Sequence, residues 1–413
     1  MSLVNFLYRH KGILTKFIPF GFARNLNRKY FAKKINLEPY KNKLGFQKKE
    51  RGEGVNIIAS LIGVLSLKNS VNMIHNEIKL AGISTNYYDY VENIIEGETM
   101  APYNINLVHA GPVGFFADLP TLPRELWQGK YNMYYFIWEL EKAPITALPI
   151  VNFFDEIWTP SKYAAKPLLS FTNKPITVVP YAISVCPDKT LTRKDFGLPE
   201  NKFLILTMYD GRSDTERKNP DAVIKAYKKA FLKENDDVFL VLKISKPDEE
   251  VIKKLKKDLR DYKNIIFMTD TISLEKVHAL ISLCDLFISL PRAEGFGLIF
   301  AEAMFLETAI IATNYSAHTE FIPEDCGCLV KYKMIPVTKK SALYQKGAMW
   351  ADADIDDAAK YILKLFNDND YRYQIVKNAK DHITKFLSKE RISDIIRNRI
   401  SDILFKKQTK YPE

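Results

Sequence analysis

No run of about 20 apolar residues, the length a helix needs to cross a bilayer, occurs in this chain. Cysteine is scarce: Cys186, Cys284, Cys326 and Cys328 are the only ones among 413 residues. A zinc site calls for two ligand pairs at wider spacing, so a single Cys-x-Cys excludes that framework and predicts no metal. Read as a strand, residues 326–328 point both thiols to one side as free side chains. Low-complexity tracts and long blocks of like charge are missing too, which excludes a disordered tail. The start lacks a secretory leader, because Arg9, Lys11 and Lys16 interrupt its one apolar stretch. The protein is expected in the cytoplasm.

Excess charge is missing from most of the chain. The net charge is +11, yet residues 1–51 hold 13 Lys and Arg against Glu38 and Glu50, so the rest is balanced. A general nucleic-acid-binding surface on the folded body is thereby excluded. Within residues 1–51, Leu3, Phe6, Leu7, Leu14, Phe17 and Ile18 share a helical face among basic residues. Such a cationic amphipathic arm suits an anionic membrane surface, here the inner face of the cell membrane. Packing of its aromatic face on the body is the other reading, and both stay open.

What is there is an α/β pattern. The length exceeds what one core sustains, so two domains are expected. Apolar runs at 55–61, 87–91, 105–110, 133–138, 155–160 and 176–182 alternate with helical patterns. A second set follows at 203–208, 238–244, 265–268, 286–290 and 309–313. Parallel pairing requires helical crossovers, so this alternation predicts two doubly wound parallel sheets. The expected units are an arm (1–51), an N-terminal domain (52–184), a linker (185–201) rich in turn residues and a C-terminal domain (202–385). A last helix (386–413) is expected to pack back toward the N-terminal domain. Ligands of such sheets bind at the carboxyl ends of the strands, so chemistry belongs in the cleft between them.

The most informative stretch is Pro291-Arg-Ala-Glu-Gly-Phe-Gly-Leu-Ile-Phe-Ala-Glu302, which follows an apolar strand and opens a helix. Gly295 and Gly297 flank Phe296 and, before Leu298, clear side chains from a loop whose helix start favours an anion such as a diphosphate. Glu294 in the loop and Glu302 one turn into the helix can each accept two hydrogen bonds from vicinal hydroxyls. A glycine-rich turn with two solvated glutamates explains the same residues equally well on physical grounds alone.

Glu294 and Glu302, with seven residues between them around Gly-Phe-Gly-Leu, resemble the signature of glycosyltransferase family 4. Ala309-Ile-Ile-Ala-Thr313 and Tyr315-Ser-Ala-His-Thr-Glu320 agree with that likeness. Asp210-Gly-Arg-Ser-Asp-Thr-Glu-Arg-Lys-Asn-Pro220 is similar to the family's loop after the first C-terminal strand. The resemblance implies a GT-B fold and a retaining, metal-independent transfer with no cofactor, a nucleotide diphosphate sugar being the substrate. It assigns Arg212 and Lys218 to the donor diphosphate, with Arg217 as an alternative partner, Glu294 to the transferred sugar and Glu302 to the ribose. By the same likeness, Asn106-Leu-Val-His109 places a histidine, His109, in the cleft, and Trp138-Glu139 matches wall- and polysaccharide-building members. Gly63 and Glu139 are the acceptor-side candidates. Relatives carry several glycines in the first loop and this chain only Gly63, so the acceptor side is specialised. The implied acceptor is a hydroxyl of a glycan or lipid-linked glycan. A nicotinamide-dependent oxidoreductase fits poorly, because Phe300 stands where the fingerprint needs glycine. A sugar-nucleotide epimerase of the same architecture and a non-catalytic sugar-nucleotide-binding protein remain as alternatives.

Overall fold

Val55-Asn-Ile-Ile-Ala59 buries every residue, the mark of a central strand covered on both faces. The computed structural model describes residues 52–409 except 61–64, 93, 97–98, 112–114, 116–118, 120–121, 145–150, 232–234 and 339–343. The basic arm 1–51 and Gly63 lie outside the described residues.

The first sheet comprises β1 (Val55–Ala59), β2 (Thr85–Asp89), β3 (Ile94–Ile95), β4 (Ile105–His109), β5 (Tyr131–Tyr135), β6 (Glu156–Thr159) and β7 (Ile176–Val178). Its order is β3-β2-β1-β4-β5-β6-β7, parallel except for the β2–β3 pair. Three buried asparagines fix its register. The Asn56 Nδ2 donates to Asn106 Oδ1 at 2.8 Å, and Asn106 Nδ2 donates to Asn132 Oδ1 at 2.7 Å. Each pair is directly opposite in the ladder, so a slip by one residue would strand buried amides without partners. That register sets His109 beside Tyr135 at the strand ends.

The second sheet comprises β8 (Phe203–Asp210), β9 (Val238–Ser245), β10 (Ile265–Met268), β11 (Leu286–Ser289), β12 (Ala309–Thr313) and β13 (Cys328–Val330) in the order β10-β9-β8-β11-β12-β13. An antiparallel pair, β14 (Tyr332–Pro336) and β15 (Met349–Ala353), stands beside it. β8 and β11 pair in parallel, but the strand order turns around between them, and the loops after these two strands open around that switch point.

Two of the three buried apolar clusters draw residues from both halves of the chain. The final helix, Lys389–Thr409, crosses to the first half. Its Arg399 makes two hydrogen bonds, 2.8 and 2.6 Å, to the fully buried Glu156, and Ser393 donates to Glu77 at 3.2 Å. Among the described residues no helix is long and apolar enough to cross a membrane.

One expectation needs correction. Cys326 and Cys328 do not share a face: Cys326 sits in a turn and joins the apolar cluster that holds Ile310 and Phe321, whereas Cys328 opens β13 opposite Ile311 and joins the cluster that holds Val330. The strand begins only after Gly327, whose backbone is pressed against Ile310 and Ile322, so the two-residue alternation never includes Cys326.

Candidate active site

The loop after β11 owes its path to glycine. Gly297 has φ 91° as the N-cap of helix Leu298–Phe305, and a Cβ there would lie 2.7 Å from the His318 Cβ. A Cβ on Gly295 would lie 2.9 Å from the Trp138 carbonyl oxygen, so this glycine lets the two halves touch through their backbones. Between them Phe296 is buried edge-on against Tyr181, at 5.1 Å between ring centroids. Leu298, partly buried, packs on the same apolar cluster. The Glu294 N–H donates to Ser316 Oγ at 2.9 Å, and Ala317 N–H donates to the Glu294 carbonyl at 3.2 Å. Glu294 is thus held from both ends by the segment after β12.

The loop after β8 is tied to it. Asp214 caps a short turn of helix, Thr215–Lys218, and Asn219, left-handed at φ 53°, starts the next helix at Pro220 while donating to the Leu290 carbonyl at 3.1 Å. Arg292 N–H donates to the Arg217 carbonyl at 2.7 Å. The short helix turns Arg217 inward and brings Lys218 beside it. Lys218 Nζ lies 2.6 Å from Glu294 Oε1, and Arg217 lies 3.1 Å from the same oxygen and 3.8 Å from Glu139. Arg217 also donates to the Ala293 carbonyl at 2.9 Å. Burial works against the Glu294 charge, but Lys218 and then Arg217 outweigh it and hold its pKa below the usual carboxylate value.

Of the residues singled out from sequence, Glu294, Lys218, Arg217 and Glu139 therefore form one charge cluster across the two halves. Arg212 stands apart from it, gripping the Asp210 carboxylate with Nε at 3.0 Å and Nη2 at 2.6 Å. Glu302 is buried in the following helix, 3.6 Å from the His278 ring. His109 is fully buried at the end of β4 and stacks on Tyr135 at 4.6 Å, with rings 7° from parallel. Neither of its ring nitrogens has a hydrogen-bond partner among the described residues, and burial pushes its pKa down to about 3. Tyr135 in turn packs on Tyr181, so an aromatic row links His109 to Phe296.

Several contributors were not singled out as site residues from the sequence, although Tyr315, His318 and Glu320 lie in a stretch that carried the family likeness. Ser161 Oγ donates to the Gly295 carbonyl at 2.9 Å, over a separation of 134 residues. The Glu320 carboxylate accepts from the backbone N–H groups of Lys162, 3.0 Å, and Tyr163, 2.6 Å. Tyr163 and Tyr315 hydroxyls meet at 3.1 Å. His318, with Nε2 2.7 Å from the Thr313 carbonyl, has its pKa lowered to about 4, chiefly by burial. The arrangement as a whole sets two cations and a helix N-terminus around one buried carboxylate, a site suited to an anionic ligand with hydroxyls attached.

Residues 188–382 match the model of the family described as Glycosyl transferases group 1. No curated protein matches the chain in sequence. Among solved structures, the chain is similar to sucrose-phosphate synthase from Thermosynechococcus elongatus, with TM-score 0.63, 13% identity and coverage of 86% of this chain and 100% of that one. A glycosyltransferase from Rickettsia africae gives 0.60 at 15% identity, covering 86% and 99%. Anabaena HepE in complex with UDP and glucose gives 0.59 at 13% identity, covering 85% and 100%. At such identities the likeness establishes the fold: two Rossmann-like domains with parallel sheets, the GT-B architecture.

Proposed function

We propose that this protein is a retaining, metal-independent glycosyltransferase that moves a sugar from a nucleotide diphosphate sugar to a hydroxyl of a glycan or lipid-linked glycan. The observation that carries the reading is the meeting of Lys218 and Arg217 with Glu294 at the N-terminus of helix Leu298–Phe305. The family match over residues 188–382, which contain all of these, supports it.

The physical task is departure of a nucleotide diphosphate from an oxocarbenium-like centre. Lys218 exchanges the Glu294 carboxylate for the donor phosphates, where negative charge grows toward the transition state, and the helix N-terminus adds its dipole. Arg217 stays behind to keep Glu294 ionised. Glu294 then accepts hydrogen bonds from sugar hydroxyls, a positioning effect, while Glu302 takes the ribose. Arg212 joins the phosphates by leaving Asp210. Gly63 and Glu139 are the residues assigned to the acceptor, whereas His109, fully buried behind Tyr135, supports the cleft without facing it. The leaving phosphate takes the acceptor proton on the same face, which preserves the anomeric configuration.

The test is incubation with UDP-, GDP- and dTDP-sugars, following nucleotide release with and without lipid and glycan acceptors. Acceptor-dependent release and a product of unchanged anomeric configuration by NMR support the reading. Release without any acceptor indicates an epimerase, and an inverted product excludes the retaining route.

The acceptor side of this reading includes a membrane. The 13 basic residues in 1–51 and their apolar companions make that arm the attachment to an anionic bilayer, at about 1 kcal/mol per basic residue near the surface. Salt-sensitive sedimentation with anionic liposomes, lost on deletion of 1–51, is the expected result.

A further inference from the structure

We infer that His278 is a positioning residue for Glu302: its ring, oriented by the segment joining the two domains, aims an Nε2–H at that carboxylate and readies it for a vicinal diol. The inference rests on the proposed donor site and adds a residue to it.

His278 lies in helix Leu274–Ser282 and is fully buried. Its Nδ1 accepts the backbone N–H of Cys186 at 3.1 Å. An acceptor nitrogen carries no proton, so in the neutral ring the proton sits on Nε2. The Cys186 thiol, 3.8 Å from Nδ1, can add a second donor to the same nitrogen and is compatible with this tautomer. Nε2–H has no hydrogen-bond partner among the described residues, although it is buried. A buried N–H left unpaired is costly, and such a group calls for an explanation.

The explanation stands 3.6 Å away. An acceptor, Glu302 Oε1, faces that N–H, and no hydrogen bond to the Glu302 carboxylate occurs among the described residues despite its burial. The separation exceeds a hydrogen bond by several tenths of an ångström, so the two groups face each other without engaging. A diol that donates both hydroxyls to Glu302 shifts the carboxylate only slightly to let Nε2–H close on Oε1. Ligand and histidine then complete one network, in which each donor finds an oxygen. The second carboxylate of the pair thus differs from the first: Glu294 is set by two cations, Glu302 by one neutral N–H. Its orientation depends on Cys186, in the chain that joins the two domains.

The experiment measures affinity for UDP, GDP and dTDP, and for the 2′,3′-dideoxy form of UDP or GDP, whichever binds, by calorimetry on the full chain. Wild type prefers the ribonucleotide, and Glu302→Gln loses that preference. His278→Leu is expected to lower the ribo/dideoxy affinity ratio about tenfold, the scale of a hydrogen bond to a charged group. It should lower the ratio no further in the Glu302→Gln background. His278→Gln, whose amide reaches the Nε2 position, should keep the ratio, while His278→Asn, which reaches only the Nδ1 position, should lose it. That polar pair decides the matter if His278→Leu does not fold. An unchanged ratio in His278→Leu and His278→Asn, or equal loss of ribo and dideoxy affinity, overturns the role of His278 and leaves the donor site standing. Wild type that binds dTDP but neither UDP nor GDP overturns this inference alone, and wild type that binds none of the three overturns the donor site with it.

Discussion

Lys218 and Glu294, 76 residues apart in sequence, meet at 2.6 Å where the loops after β8 and β11 converge. The pair is partly buried, so its charges are worth more than a surface ion pair, and each is the other's closest counter-ion. A donor phosphate that recruits Lys218 has to compete with Glu294 in the ground state and gains on it as charge builds on the leaving oxygens. Lys218→Ala should therefore slow turnover at saturating donor by about 10- to 100-fold, the scale of a lost charge-assisted hydrogen bond. Donor affinity should fall less. Steady-state kinetics paired with calorimetric donor binding read the two effects separately. Equal losses in affinity and catalytic efficiency, with turnover unchanged, would show that Lys218 supplies uniform binding only.

Arg217 has a different task. Its side chain is 7% exposed and lies between Glu294 and Glu139, one from each half of the molecule. Replacing it with alanine leaves two carboxylates facing a hole where a cation stood. Removing one partner of a buried ion pair costs about 3 kcal/mol or more. Chemical denaturation of Arg217→Ala should show that loss, with Arg212→Ala close to wild type because Arg212 pairs with Asp210 at a more exposed position. Equal stability of the two variants would contradict the buried bridge.

Much of this was legible in the sequence, and the reasons are specific. Strands buried on both faces, such as Leu286–Ser289, read as unbroken apolar runs, so the two parallel sheets declared themselves. The hairpin β14–β15 did not, because Tyr332–Pro336 is mostly exposed and ends in proline. Glu294 stood out by its glycines. That Arg217 joins Lys218 at Glu294 could not be read, since it depends on how Asp214 starts a four-residue helix and turns one side chain inward. The contacts of Ser161, Glu320 and His278 were invisible for another reason: each joins a distant segment, and no local pattern encodes that, even where, as with Glu320, the residue lies in a stretch that carried the family likeness.

The buried histidines make stability depend on pH. The pKa of His109, about 3 in the fold, is depressed below its ordinary value near 6.5, so between those limits the unfolded chain binds the extra proton. Its contribution is complete above about pH 6.5 and is lost as pH falls toward 3. His318, lowered to about 4, acts in the same direction. His109→Phe keeps a ring on Tyr135 and removes the titration. Its stability should fall less steeply from pH 6.5 to 4 than that of wild type, the slopes differing by up to about 1 kcal/mol per pH unit. Parallel curves would show that His109 titrates alike in both states.

The central claim is that Glu294 holds the sugar of a nucleotide donor while Lys218 takes the leaving phosphates. The most direct measurement is sugar transfer at saturating donor by wild type and by Glu294→Gln, with each variant's donor affinity measured alongside. Glu294→Gln removes the charge and keeps the shape, so donor binding should persist while turnover falls by about 10- to 100-fold. Full turnover in Glu294→Gln, or a wild type that transfers sugar from no nucleotide donor, would contradict the account.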